Sequence, residues 1–139
     1  MMIRRKMVFL FSVVTIFGLG GCSSGNHEQS RMNSTDLSMV AIKVELRWTP
    51  DEVSVNEKVT FEAVVTQDDQ PVDDAKEVKF EIINKADATL KLELNGKSVG
   101  DGLYSAEGIL QQEGHYTVTS HVTARTQHSM PSKELTVQP

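Results

Sequence analysis

The chain has 139 residues, a formal charge of −5, 39% hydrophobic and 6% aromatic residues, enough for one ordinary domain and no more. An acidic balance excludes nucleic acid as a partner and excludes electrostatic docking on anionic lipid. Cys22 is the one cysteine, so an intramolecular disulfide is excluded and the domain must hold together by its core.

Arg4, Arg5 and Lys6 precede an apolar run from Met7 to Phe17 that only Ser12 and Thr15 interrupt. A basic start followed by an apolar stretch too short to span a bilayer is the pattern of a secretory signal. The run ends in Leu19-Gly20-Gly21-Cys22-Ser23, which resembles a bacterial lipobox. Residues 1–21 are therefore read as a lipoprotein signal peptide and Cys22 as the lipidation site, the other reading being an ordinary signal peptide with an incidental thiol. Cleavage before Cys22 removes three of the 14 basic residues and none of the 19 acidic ones, leaving a formal charge of −8. Two acyl chains, at about 0.8 kcal/mol per buried methylene, make a stable anchor without an amphipathic helix. The expected place is the extracytoplasmic face of the cell membrane. Residues 22–39 are polar and rich in Ser and Asn, and read as a flexible tether in which His27 and Met32 are solvated.

From residue 40 the pattern changes. Ile42, Val44, Leu46 and Trp48 alternate with polar residues until Pro50, and Val59, Phe61, Ala63 and Val65 form a second alternation. Gln67–Ala75 is a turn with four aspartates. No glycine or glutamate falls at a calcium-loop spacing, so it reads as a solvated hairpin tip in preference to a calcium site. Val78, Phe80 and Ile82 give a third strand. Leu90, Leu92 and Leu94 give a fourth, closed by Asn95-Gly96, and Leu103-Tyr104 opens a fifth. Gly114–Ala124 is the sixth, and Leu135 and Val137 end the sheet. About seven short alternating strands in a hundred residues predict an all-β, immunoglobulin-like two-sheet antiparallel sandwich over 40–139. Trp48 is expected as a core residue or a sheet-edge lid. Tyr116 is expected to be buried with its hydroxyl tied to upstream backbone.

In the sixth strand, Tyr116, Val118, Val122 and Ala124 share one face, and His115, Thr117, Thr119, His121 and Thr123 share the other. If the chain turns back at Ala124-Arg125, His121 faces His128 with Cβ atoms roughly 5 Å apart and Met130 diagonally beside them. His115 shares the face but lies on the order of 20 Å up the strand. The weak step is the turn, since Thr123–Thr126 holds no Gly, Asn or Pro to favour a tight hairpin.

The mature domain resembles the YtkA-like family of bacterial envelope domains from about Val44 to Val137. The resemblance is carried by Trp48-x-Pro50, Pro71-Val72-Asp73-Asp74-Ala75, Gly102-Leu103-Tyr104-Ser105-Ala106, and most specifically Gly114-His115-Tyr116 through His121 to His128-Ser129-Met130-Pro131. It implies an immunoglobulin-like sandwich in exported or lipid-anchored proteins, with relatives linked to copper handling and cytochrome oxidase assembly. The positions that inherit a metal role are His121, His128 and Met130.

Two imidazoles and a thioether suit Cu(I), whereas zinc and hard cations prefer thiolate or carboxylate, and the segment from His115 to Pro131 contains no acid. The expectation is a membrane-anchored lipoprotein that binds copper and buffers or delivers it, with a membrane protein such as an oxidase subunit as partner. The alternative is a scaffold module of the cell envelope that binds no metal. No nucleophile–base pattern, phosphate-binding glycine loop or carboxylate pair supports an enzyme.

Overall fold

The computed structural model describes residues 40–139. The expected signal peptide, Cys22 and the tether lie outside the described residues. Eleven strands follow in order: β1 (Lys43–Thr49), β2 (Val53–Ser54), β3 (Lys58–Gln67), β4 (Gln70–Pro71), β5 (Glu77–Asn84), β6 (Lys91–Asn95), β7 (Lys97–Gly100), β8 (Leu103–Ile109), β9 (Gly114–Ala124), β10 (Gln127–Ser129) and β11 (Ser132–Gln138). The seven alternations read from the sequence become β1, β3, β5, β6, β8, β9 and β11. The count of seven is corrected by β2, β4, β7 and β10, which have two to four residues each and are too short for a period of two to register.

Two sheets result. One has the order β1-β3-β8-β7, with β4 beside β3; the other has the order β2-β11-β9-β5-β6, with β10 beside β9. All pairings are antiparallel except that of β11 with β2, which is parallel. Alternation builds the core: β3, β5 and β9 each bury every second residue. Phe61 of one sheet meets Phe80 of the other at 6.2 Å between ring centroids, and both are fully buried. Burying a side chain of this kind contributes about 1.5–3 kcal/mol. Trp48 is half-buried on the edge strand β1, tilted against Phe61 at 6.5 Å, with the Lys133 ammonium 5.1 Å from its ring.

The four-aspartate turn is a hairpin tip. Asp68 and Asp69 both have positive φ, of 52° and 56°, and form the two-residue loop between Gln67 and its partner Gln70, the geometry that matches strand twist. Asp73 instead accepts a hydrogen bond from the Gly102 amide at 2.7 Å. Gly102 has φ of +72°, and a Cβ there would come within 2.4 Å of the Val65 carbonyl, so no other residue fits.

Candidate metal centre

Strand β9 crosses the middle of the six-stranded sheet, between β5 and β11. Its inward residues Tyr116, Val118, Ser120, Val122 and Ala124 are buried, which sets His115, Thr117, Thr119, His121 and Thr123 on the outer face. The parity expected from the sequence is therefore present. Tyr116 is 3% exposed, and its hydroxyl donates to the Gln112 carbonyl at 2.8 Å.

The hairpin register differs from the expected one by two residues. His128 pairs with Thr123, not His121, and Gln127 pairs with Ala124. The loop is a tight one of two residues, Arg125 and Thr126, and Arg125 takes φ of 56° where Gly or Asn is usual. A two-residue shift keeps every side chain on its face but changes its neighbour. The same register continues through the bond from the Ser120 amide to the Pro131 carbonyl and the pair Ser132–Thr119. Met130 is thereby brought level with His121, where a diagonal position was expected.

His121 and His128 have ring centroids 6.2 Å apart, tilted by 59°. Two nitrogens bound to one metal at about 2 Å each lie within about 4 Å of each other, a separation these centroids allow when the ring nitrogens face. His128 and Met130 are exposed, Met130 to 55%. His115 is not part of this group; its Nδ1 lies 3.1 Å from the Thr136 hydroxyl.

The structure adds a neighbour that the segment itself does not contain. Lys79 of β5 pairs with His121, and Glu81, two residues on, places Oε1 3.5 Å from His121 Nε2. That nitrogen is buried and has no hydrogen bond of normal length; the Ser120 hydroxyl, on the inner face of the same strand, is also buried without a partner. Glu81 also binds Lys91 at 2.6 Å, and Lys91 reaches Glu93 at 2.8 Å. The Lys91 ammonium holds the Glu81 carboxyl below its usual range, with a smaller contribution from His121, and the same lysine lowers Glu93. Lys91 is in turn raised to about 12, chiefly by its bond to Glu81.

Chemically, a carboxylate beside Nε2 favours the tautomer with its proton on Nε2 and leaves Nδ1 as the free lone pair. Glu81 is thus placed to orient an imidazole, its own negative charge already committed to Lys91. Among the described residues, no group of three or more His, Cys, Asp or Glu side chains is placed to hold a metal ion. The donor set expected from the sequence is two imidazoles and a thioether, His121, His128 and Met130. Sequence parity puts Glu81 on the outer face of β5, but nothing in the sequence says that β5 lies beside β9.

A two-sheet β domain with this outer face defines a class, and comparison with known proteins defines the family. The YtkA-like family matches residues 40–121, and the chain belongs to that family. The match ends at His121, so His128 and Met130 lie beyond it, short of the extent expected from the sequence. No curated protein matches the chain. Among solved structures, it is similar to the crystal structure of a DUF4785 family protein from Legionella pneumophila, with a TM-score of 0.51 and 8% identity over 73% of this chain. That likeness is one of fold, and the chain spans 29% of the other protein's length.

Proposed function

We propose that this protein is an extracytoplasmic lipoprotein, anchored to the cell membrane through Cys22, that binds Cu(I) through His121, His128 and Met130. It buffers copper or delivers it during cytochrome oxidase assembly, a role implied by the family resemblance, and it catalyses no reaction. Its fold is read as an immunoglobulin-like sandwich extended by short edge strands. The observation that carries the metal reading is the approach of the two histidine rings to 6.2 Å on one sheet face, with Met130 level with His121. Neutral imidazole and thioether are the ligands that suit Cu(I). The exposure of His128 and Met130 suits a site that gives its metal away.

A second reading, a scaffold module without metal, is favoured by one observation: the family match stops before His128 and Met130. Competition with a Cu(I) chelator separates the two. The wild type should hold Cu(I), His121→Ala and His128→Ala should lose most of that affinity, Met130→Leu should lose less, and His115→Ala should lose none. Equal affinity across the set would leave the scaffold reading.

A further inference from the structure

Among the described residues, one sheet ends at β1 and β7 and the other at β2 and β6. An edge strand presents a row of backbone groups that can pair with another chain, and shortness, irregularity or a covering side chain prevents it. Side chains of the other sheet cover β1: Gln127 accepts a hydrogen bond from the Ile42 amide at 2.8 Å, and Lys133 donates to the Leu46 carbonyl at 3.2 Å. Just before that strand, Gln127 and Gln67 donate to the Val40 carbonyl at 2.9 and 2.7 Å. Strand β2 has two residues, and the register of β7 breaks between Ser98 and Gly100. Strand β6 is protected in none of these ways.

The five residues of β6 pair with β5 without a break. At the two ends of that ladder the Asn84 amide donates to the Leu90 carbonyl and the Gly96 amide to the Val78 carbonyl. Residues 90, 92, 94 and 96 therefore bond to β5, and the N–H and C=O groups of Lys91, Glu93 and Asn95 point away from the sheet. Leu90, Leu92 and Leu94 turn toward the other sheet but stay only half-buried, while Lys91 and Glu93 are exposed on the outer face. Leu92 and Leu94 lie against Gly108 of β8, where a Cβ would meet each at 2.9 Å. A cleft lined by Leu90, Leu92 and Ile109 opens toward one end of β6, and another lined by Leu94, Asn95 and Val99 toward the other. Ile109 and Val99 are both exposed. The side of the sandwich at β6 thus carries unpaired backbone groups and uncovered apolar side chains together.

We propose that β6 pairs antiparallel with β6 of a second copy of this chain, across a two-fold axis at Leu92, and joins the two β6-edged sheets into one. Leu90-Lys91-Leu92-Glu93-Leu94 is complementary to itself in that register. Lys91 faces the partner's Glu93, and Glu93 the partner's Lys91, and these are the residues whose backbone groups point outward and exchange hydrogen bonds. Leu92 faces its own copy, and Leu90 faces the partner's Leu94, so the leucines cover one another on the inner side. Moving the axis to residue 91 sets lysine against lysine, and moving it to residue 93 sets glutamate against glutamate. Unlike charges directly across are favourable and like charges unfavourable, which selects the axis at Leu92. The charge array of one copy points the same way. Glu81 and Glu93 face each other across β5 and β6 and share Lys91; the pairing puts a second ammonium on the open side of Glu93. A two-fold interface of this kind closes on itself and leaves no further edge of β6 to extend.

Cross-linking and sedimentation test the pairing in the chain from residue 22 onward with Cys22→Ser, which then holds no cysteine. Leu92→Cys in that chain should give a disulfide-linked dimer on mild oxidation, because facing residues at the axis have Cβ atoms roughly 5 Å apart. Thr126→Cys, exposed at the tip of the β9–β10 hairpin, should cross-link far more slowly. Sedimentation equilibrium of the parent chain should show a monomer–dimer equilibrium. Lys91→Glu and Glu93→Lys should each weaken it by about tenfold, since either sets like charges across both pairs, and the double variant should recover the parent value. A parent chain that stays monomeric at millimolar concentration overturns the proposal, as does a Leu92→Cys chain that cross-links no faster than the Thr126→Cys one. Single charge variants that dimerise as tightly as the parent, or a double variant as weak as the singles, overturn the register. Thermal melts show that each variant is folded; if a charge variant is not, the Leu92→Cys cross-link, which leaves both charges in place, decides.

Discussion

Both tyrosines of the chain end in hydrogen bonds to backbone, but they do so differently. Tyr116 makes one bond, donated to the Gln112 carbonyl four residues upstream. Tyr104 makes two: it donates to the Val72 carbonyl at 2.9 Å and accepts from the Ala75 amide at 3.0 Å, fixing the loop after β4 to β8. Tyr116→Phe should therefore cost about 1 kcal/mol, the net worth of one buried bond. Tyr104→Phe should cost more, about 2 kcal/mol, because the Ala75 amide and the Val72 carbonyl both lose their partner. Denaturant titration of the two variants checks the order. A Tyr104 variant no less stable than the Tyr116 one would mean that water replaces both bonds. Only the first of these contacts was legible in the sequence, through the Gly114-His115-Tyr116 opening. Val72, Ala75 and Tyr104 are brought together by the pairing of β8 with β3, which no local pattern encodes.

At the scale of elements, what could be read was parity and what could not was adjacency. The alternation in β9 gives the correct face for His115, His121 and Thr123, since a strand's side chains alternate whatever lies beside it. The register of the hairpin depends on one residue's backbone, and Arg125 at φ of 56° allows a tight loop that its residue type does not announce. Glu81 is the larger omission, because it reaches His121 only through the non-sequential pairing of β5 with β9. That pairing has a measurable signature. Glu81 titrates below its ordinary value of about 4.3 when folded, so its stabilising effect is present above that value and fades as pH falls through the lower, folded one. Lys91, raised to about 12, acts in the opposite limb: its contribution is full below about 10.4 and is lost as pH rises from there through about 12. Thermal melts between pH 5 and pH 3 should thus fall more steeply for the wild type than for Glu81→Gln. Parallel curves would mean that the array is too well solvated to matter, as for most surface ion pairs.

At the scale of the described domain, the two sheets are joined by the core and, at the hairpin end, by side-chain amides. Gln127 belongs to β10 of one sheet, and the backbone it binds leads into β1 of the other. Its amide pairs with Val40 and Ile42 much as a strand's own peptide group would, one acceptor and one donor. Gln67 and Arg125 extend this junction from β3 to the hairpin tip. Gln127→Ala should cost about 1 kcal/mol, since these bonds are only partly buried and water can replace them in part. Its effect should be local. Amide exchange at Ile42, whose N–H loses its acceptor, and at residues 127–129 should accelerate, while Val118 and Val122 in the middle of β9 keep the protection of the core. On the proposed copper reading, Cu(I) affinity should fall as well, because His128 adjoins the freed residue and its place relative to His121 is set by the hairpin. An Ile42 amide that exchanges at the wild-type rate in Gln127→Ala would show that the junction is carried by the Gln67 bond and the β1–β3 ladder alone. His128 would then be positioned by the two-residue loop and its pairing with Thr123, independently of where the chain joins the domain.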